Sequence, residues 1–178
     1  MTWTNAGPPA PASTFDDVAF RHVLGRFATG VTVVTTLDEG GRLCGFTASS
    51  FTSVSLDPPL VLVCVSYAAR SYQHLLGRGA FTIHILNGDQ GEVARAFASP
   101  GRDRSGACDW RVNERGLPLL SQCHAALECT LFREFAGGDH AIVVAQVERL
   151  YADNDGDRPL MWYRGALFPL SAGDQPNV

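Results

Sequence analysis

Hydroxyl side chains are concentrated in one short stretch of the chain. Six of the nine residues at positions 47–55 carry a hydroxyl, namely Thr47, Ser49, Ser50, Thr52, Ser53 and Ser55. Hydroxyls and the backbone N–H groups of an irregular loop can donate hydrogen bonds to a phosphate or to the polar edge of a ligand ring. Ordinary edge strands also carry such residues, because Thr suits a pleated strand and Ser tolerates irregular backbone. The composition alone leaves both interpretations open.

The residues that follow favour a ligand site. Asp57-Pro58-Pro59 predicts a turn, since both prolines restrict φ and neither donates a backbone hydrogen bond. The uninterrupted apolar run at 60–65 predicts a strand buried on both faces. The sequence therefore predicts a donor-rich polar loop at 47–55, anchored to a rigid buried strand.

Two further places carry polar side chains suited to chemistry. Ser66, Arg70 and Ser71 surround the start of a predicted helix at 70–76, where backbone N–H groups and a guanidinium can bind an anion. A solvated arginine is the alternative there. His140 follows a predicted Gly138-Asp139 turn and begins a strand, so it is either a functional side chain or a structural turn histidine.

Other motifs argue against several classes of site. The chain has no Rossmann G-x-G-x-x-G and no P-loop, so a nucleotide must bind without those devices. Its five cysteines include no C-x-x-C pair, which indicates neither a metal site nor a disulfide framework but buried, unreactive thiols. Taken alone, Trp162 and Tyr163 read as alternating core and surface aromatics on a strand.

Periodicity predicts the elements that position these residues. A helix is expected at 15–28, with Phe20, Val23, Leu24, Phe27 and Ala28 on its apolar face. Strands at 31–37 and 43–50 are expected to form a hairpin around Gly40-Gly41. Further strands are predicted at 81–86, 123–135, 140–151 and 160–170, and a further helix at 90–98. Residues 99–121 are expected to form a long connection with little regular structure.

Many strands with a few short helices predict a mainly β fold, and a closed antiparallel barrel would remove the unpaired sheet edges. The length of 178 residues suits one domain, here placed at 15–170 between a disordered N-terminal tail at 1–14 and a C-terminal tail at 171–178. The net charge of −4 gives no support for nucleic-acid binding. The chain shows neither a signal-peptide pattern nor a long apolar run, so we expect a cytoplasmic protein without membrane contact.

Residues 45–59 read Gly-x-Thr-x-Ser-Ser-Phe-x-Ser-Val-Ser-x-x-Pro-Pro. This pattern resembles the short-chain NAD(P)H:flavin reductases of two-component flavin-dependent monooxygenases, the family of the 4-hydroxyphenylacetate 3-monooxygenase reductase component. The resemblance extends to residues 20–35, 81–97, 138–147 and 159–168. It implies the FMN-binding split barrel of that family, which is usually a homodimer. Ala145 stands where the family pattern has a glycine.

The resemblance also implies roles for individual residues. His140 is expected beside the nicotinamide as the catalytic candidate, and Arg70 with Ser66 and Ser71 at the flavin phosphate. Tyr163, Arg164 and Gly165 are expected to line the pyridine-nucleotide pocket. The complete set of expected cofactor-binding residues is Thr47, Ala48, Ser49, Ser50, Cys64, Val65, Ser66, Arg70, Ser71, His140, Tyr163, Arg164 and Gly165.

The function implied by the resemblance is transfer of a hydride from NADH, or from NADPH, to FMN or FAD. The reduced flavin would then diffuse to a separate oxygenase. Two alternatives remain at this point. One is a flavin-binding module or an oxidase on the same barrel, and the other is an interaction subunit without a cofactor.

Overall fold

The computed structural model describes residues 15–99, 104, 106–152 and 158–170, in which three short helices accompany twelve strands. The helices are α1 (Asp17–Leu24), α2 (Arg70–Arg78) and α3 (Gly91–Ala98). The strands are β1 (Thr29–Gly30), β2 (Thr32–Leu37), β3 (Leu43–Ala48), β4 (Thr52–Leu56), β5 (Pro59–Ser66), β6 (Ala80–Ile85), β7 (Trp110–Val112), β8 (Pro118–Leu120), β9 (Ala125–Gly137), β10 (His140–Ala152), β11 (Leu160–Tyr163) and β12 (Ala166–Pro169). The mainly β prediction is confirmed. The predicted tails at 1–14 and 171–178 lie outside the described residues.

Seven strands form one antiparallel sheet in the order β3-β2-β6-β9-β10-β5-β4. Its two edge strands, β3 and β4, are joined by residues 49–51. In the described part of the chain no ladder pairs these edges, so the closure predicted for the barrel is not found in the hydrogen bonding. The hydroxyl-rich stretch is also mostly strand, and only residues 49–51 form a connection.

Two smaller sheets, β1-β11-β12 and β7-β8, contain hairpins that were not predicted from the sequence. The single strand predicted at 160–170 is a hairpin of β11 and β12, because Arg164 and Gly165 adopt positive φ angles of 50° and 80° and reverse the chain. The connection predicted at 99–121 contains the β7–β8 hairpin, in which Trp110 lies opposite Leu120. Strands of three residues are too short for alternation to reveal them in a sequence.

Strand β2 is buried along its whole length because both of its faces are covered. Val34 packs in the core beside α2, together with residues of β5, β6 and β10. Val33 packs in a second core that includes Phe97 of α3. A side chain at Gly45 on β3 would lie 2.2 Å from the Val34 carbonyl oxygen and 3.2 Å from the Phe97 ring, so a glycine there allows this close packing.

Strand β5 departs from the predicted burial. Val61, Val63 and Val65 are buried, whereas Leu62 and Cys64 between them are only partly covered. The residues of this apolar run therefore alternate between a core face and a partly open face. An apolar run does not show which of its faces the rest of the chain covers.

Helix α1 also departs from the prediction. It is shorter than the expected 15–28, and its N-cap is Asp16, whose carboxylate accepts a hydrogen bond from the Ala19 N–H at 2.6 Å. No residue of α1 is buried. Its apolar side chains, with those next to it, are exposed by 48–76%: Phe15, Val18, Phe20, Val23, Leu24 and Phe27. None of the described helices is long and apolar enough to cross a membrane.

A buried histidine joins three strands. The His84 Nδ1–H on β6 donates to the Val33 carbonyl oxygen of β2 at 3.1 Å, and the Leu120 N–H of β8 donates to His84 Nε2 at 3.1 Å. Both ring nitrogens are used only if the imidazole is neutral. Burial lowers the pKa of His84 to about 4, which keeps the ring in that form.

The five cysteines are free thiols. Cys44 and Cys129 are buried, while Cys64, Cys108 and Cys123 are partly exposed. Burial raises the pKa of Cys44 to about 11 and the pKa values of Cys123 and Cys129 to about 12. These three thiols are therefore protonated at neutral pH and poor nucleophiles. The prediction of buried thiols is met by Cys44 and Cys129 but not by the three partly exposed cysteines.

Candidate functional site

A cleft of about 820 Å³ opens between the end of β3, one side of α3 and the β11–β12 turn. Its lining residues are Val31, Thr47, Ala48, Ser49, Ala94, Arg95, Ala98, Ser99, Trp162, Gly165, Ala166 and Leu167. Four of the predicted cofactor-binding residues meet here, because Gly165 comes within the same cleft as Thr47, Ala48 and Ser49. The volume lies in the range of small-molecule sites, about 300–1,000 Å³.

Hydroxyls hold the β3 wall of the cleft in place. The Thr47 hydroxyl donates to the Ala94 carbonyl oxygen at 2.6 Å and so ties β3 to α3. The Thr32 hydroxyl donates to the Ala48 carbonyl oxygen at 2.9 Å and holds the end of β3 against β2. Ser49 follows directly and is exposed at the cleft. The wall that carries the hydroxyl-rich stretch is therefore a strand end braced from two sides.

The residues of α3 that line the cleft were not identified from the sequence. The α3 wall consists of Ala94, Arg95, Ala98 and Ser99. The side chain of Arg95 is 54% exposed. Glu92, one helical turn earlier, accepts a hydrogen bond from Arg95 Nη1 at 2.6 Å. The available signal in the sequence was a single arginine on the polar face of a predicted helix, and such an arginine is weak evidence for a site.

The β11–β12 hairpin forms the third wall. Trp162 lines the cleft, while the neighbouring Tyr163, the predicted pocket residue, does not. The Arg164 guanidinium lies 5.2 Å from the centre of the Tyr163 ring, and the Arg164 N–H donates to the Gly25 carbonyl oxygen at 2.8 Å. The hydrogen bond to Gly25, the C-cap of α1, ties the turn to the end of that helix.

Three further predicted residues, Ser66, Arg70 and His140, do not line this cleft and lie at the end of β5, the start of α2 and the start of β10. We refer to Ser66, Tyr67, Arg70, Asp139 and His140 as the β5–β10 rim. His140 lies opposite Ser66 in the ladder, and the Tyr67 N–H donates to the Asp139 carbonyl oxygen at 3.2 Å. Arg70 begins α2 and is exposed. The rim thus brings together the predicted phosphate segment and the predicted nicotinamide residue.

The His140 ring is oriented by its neighbour. His140 Nδ1 lies 2.8 Å from Asp139 Oδ1, and the His140 side chain is 42% exposed. The hydrogen bond from His140 lowers the pKa of the Asp139 carboxyl group, and the charge of Arg21 adds to the effect. A carboxylate bonded to Nδ1 favours a proton on that nitrogen.

Ser50 and Cys64 lie between the cleft and the rim. The Cys64 N–H donates to the Ser50 hydroxyl at 2.9 Å. Val65 and Ser71, by contrast, are only 1% and 3% exposed. Contact of these two residues with a cofactor stays a prediction, and burial leaves mainly their backbone groups to make it.

A protein-family model described as a flavin reductase like domain matches residues 24–171. The chain belongs to this family. The flavin reductase like domain therefore covers the cleft, the rim and all twelve strands. The resemblance drawn from residues 45–59 is confirmed.

Relatives of this flavin reductase like domain carry consistent names. A Rhizobium meliloti (strain 1021) protein named "Probable flavin reductase" is 44% identical over 91% of this chain and 52% of its own length. The chain thus spans about half of that relative. The "NADH-dependent FAD reductase" of Streptomyces globisporus is 44% identical over 94% of this chain and 93% of its own length.

A solved structure supports the same family. The crystal structure of a homologue of nitrilotriacetate monooxygenase component B from Mycobacterium thermoresistibile superposes with a TM-score of 0.85. The two chains are 36% identical, and the match covers 90% of each.

Proposed function

We propose that this chain is an NADH-dependent flavin reductase that supplies free reduced flavin to a separate oxygenase. The main observation in support is the cleft, in which the hydroxyl-rich β3 wall meets the β11–β12 turn. Both lie within the region that the flavin reductase family model matches. The name of the Streptomyces globisporus relative supports FAD and NADH as reactants. The similarity to a monooxygenase component supports the separate oxygenase.

The cleft suits a flavin ring in both size and character. Val31, Trp162 and Leu167 offer apolar surface on which a flat heteroaromatic ring can pack. The exposed Ser49 hydroxyl can meet the polar edge of such a ring, whereas the Thr47 hydroxyl is used to hold β3 against α3. A bound flavin would supply the two-electron chemistry by accepting a hydride from reduced nicotinamide.

The protein's own part is binding, orientation and exclusion of water. The braced β3 wall and the Trp162 side chain would fix the plane of a ring in the cleft. The β5–β10 rim would hold the phosphate and nicotinamide ends, with Arg70 as the cation and His140 as a hydrogen-bond donor or acceptor. Hydride transfer requires chiefly close approach and alignment of the two rings, so His140 is a positioning residue in this proposal.

Two features of the assembly belong to the proposal. The seven-stranded sheet would act as a split barrel, with its open seam between β3 and β4, where the Ser50–Cys64 hydrogen bond ties the connection at 49–51 to β5. A homodimer would cover the apolar side chains of α1, which the chain itself leaves exposed. Light scattering coupled to gel filtration tests the dimer.

The cytoplasmic location of the protein stays a prediction.

The decisive experiment is anaerobic reduction. Purified protein is mixed under nitrogen with FMN, FAD or riboflavin and with NADH or NADPH, and the loss of flavin absorbance is followed. Rapid bleaching with NADH is the expected result. Flavin binding without bleaching would favour a binding module, and no affinity for any flavin would favour an interaction subunit; either result would overturn the proposed activity.

A further inference from the structure

We infer that Arg95 binds the diphosphate group of a dinucleotide and thereby gives this chain a preference for dinucleotides over mononucleotides. The inference rests on the proposed function, since it concerns the same cleft. It adds a specificity-determining residue and the ligand group that this residue would bind, the diphosphate that joins the two halves of a dinucleotide.

The first support is electrostatic. Among the described residues that line the cleft, Arg95 alone carries a formal charge. The chain as a whole has a net charge of −4, which disfavours an anionic ligand at long range. The C-terminal end of α3, where Ser99 is the C-cap, adds partial negative charge. An anion that enters this cleft therefore depends on the Arg95 guanidinium for its compensating charge.

The second support is steric. Ala94 and Ala98 flank Arg95 in the lining with methyl groups only, which leaves room for a bulky anionic group beside the guanidinium.

The third support is that the Arg95 guanidinium is oriented by an ion pair but stays accessible to solvent. Its partner Glu92 is 2.6 Å away, and the two side chains are 54% and 77% exposed. An exposed pair of this kind contributes little to stability, so a phosphate can replace or share the carboxylate at small cost. Glu92 orients the guanidinium in the free protein and competes with a bound anion.

The cleft holds a cation in addition to the arginine predicted for the phosphate of FMN. That arginine, Arg70 of the β5–β10 rim, does not line the cleft. Arg95 is therefore free to serve an anionic group other than the phosphate of a mononucleotide. FMN and nicotinamide mononucleotide lack one, whereas FAD and NAD(H) carry a diphosphate. The test must therefore separate the flavin dinucleotide from the nicotinamide dinucleotide.

The experiment measures binding directly with Arg95→Ala. Quenching of flavin fluorescence compares FAD with FMN, and calorimetry compares NAD⁺ with nicotinamide mononucleotide. We expect the Kd of one dinucleotide to rise about three- to tenfold while both mononucleotides change less than about twofold. A change confined to FAD assigns the diphosphate to the flavin, and a change confined to NAD⁺ assigns it to the nicotinamide nucleotide.

Glu92→Gln should have the opposite sign, tightening the same dinucleotide about twofold, because the competing carboxylate is gone. The matched control is the exposed pair Arg149–Glu114, at 3.4 Å, in which neither residue lines the cleft. Arg149→Ala and Glu114→Gln should leave all four affinities unchanged. Arg95→Gln repeats the test with a longer neutral side chain.

Equal losses for mononucleotides and dinucleotides, or no change for any of them, would overturn the role of Arg95. The proposed function is judged separately by anaerobic bleaching of flavin with the wild-type chain. Wild-type turnover with unchanged Kd values for Arg95→Ala refutes only the inference. If Arg95→Ala selectively loses dinucleotide binding while the wild-type chain does not bleach flavin, only the reductase activity is refuted.

Discussion

The hydroxyl of Ser50 accepts a hydrogen bond from the backbone N–H of Cys64 at 2.9 Å. The ladder between β4 and β5 reaches Thr52 opposite Leu62 and then ends. The Ser50 side chain thus extends the pairing beyond the last strand pair, at the point where residues 49–51 cross between the two sheet edges. This bond links the candidate cleft to the strand that leads to the rim.

Ser50→Ala should therefore affect both stability and ligand binding. Without the hydroxyl, the partly buried Cys64 N–H loses its acceptor, so the free energy of unfolding should fall by about 1–2 kcal/mol. Flavin affinity should fall several-fold because the connection at 49–51 is less well held. Urea denaturation and fluorescence titration measure the two effects. Ser53→Ala, on the exposed part of β4, is the control; similar effects from both variants would contradict the special role of Ser50.

Arg70→Ala should weaken FMN binding by about ten- to a hundredfold and leave riboflavin nearly unaffected. The reason is that riboflavin has no phosphate for the guanidinium to bind. Fluorescence titration with both flavins measures the difference. Arg42→Ala provides the control, because Arg42 is paired with Asp38 at 2.8 Å and lies outside the cleft and the rim. An equal loss for both flavins would remove Arg70 from the phosphate site.

His140→Ala should raise the KM for NADH by up to about tenfold and spare flavin affinity. The ring lies at the end of β10 and contributes a hydrogen bond, so its loss costs about 0.5–1.5 kcal/mol. An obligatory proton donor would instead lower kcat by about a hundredfold or more. Steady-state kinetics between about pH 5.5 and 8.5 separate these two cases.

A companion variant tests how His140 is oriented. Asp139→Asn removes the carboxylate that bonds His140 Nδ1 at 2.8 Å but keeps the ring. It should raise the KM for NADH less than His140→Ala does, with flavin affinity unchanged. A lower melting temperature with unchanged kinetics in both variants would make His140 a structural turn residue.

Stability should depend on pH through His84. Its pKa is lowered to about 4 in the folded chain, against an ordinary value near 6.5. Between these values the unfolded chain binds a proton that the folded chain does not. The stability contribution of neutral His84 is therefore complete above about pH 6.5 and is lost as the pH falls toward 4, by up to about 3 kcal/mol.

Urea denaturation at several pH values measures this dependence, and His84→Gln should flatten it because the titrating group is gone. His22→Gln is the control, since His22 lies exposed on α1 and should leave the slope unchanged. A wild-type stability that is level between about pH 6.5 and 4, or a His84→Gln variant with the wild-type slope, would contradict the role given to the buried ring.

The sequence by itself determined the local elements with strong periodicity and the family. Alternation at 123–135 predicted β9, because side chains of a strand point to opposite faces with a period of two. The Gly138-Asp139 turn that follows predicted the return strand β10. Gly40-Gly41 predicted the β2–β3 turn, where Gly41 has a φ of 74°. The pattern at 45–59 predicted the family because residue types and spacing are read directly from the chain.

Only the tertiary structure decided which faces are covered and which distant residues meet. The apolar run at 60–65 was predicted to be buried on both faces, yet one face of β5 is only partly covered, and the apolar side chains of α1 are left exposed by the chain. The cleft joins β3, α3 and the β11–β12 turn, which are far apart in sequence, and it includes Arg95 and Trp162. Local periodicity reports the shape of one segment, whereas burial and proximity follow from the packing of segments against each other.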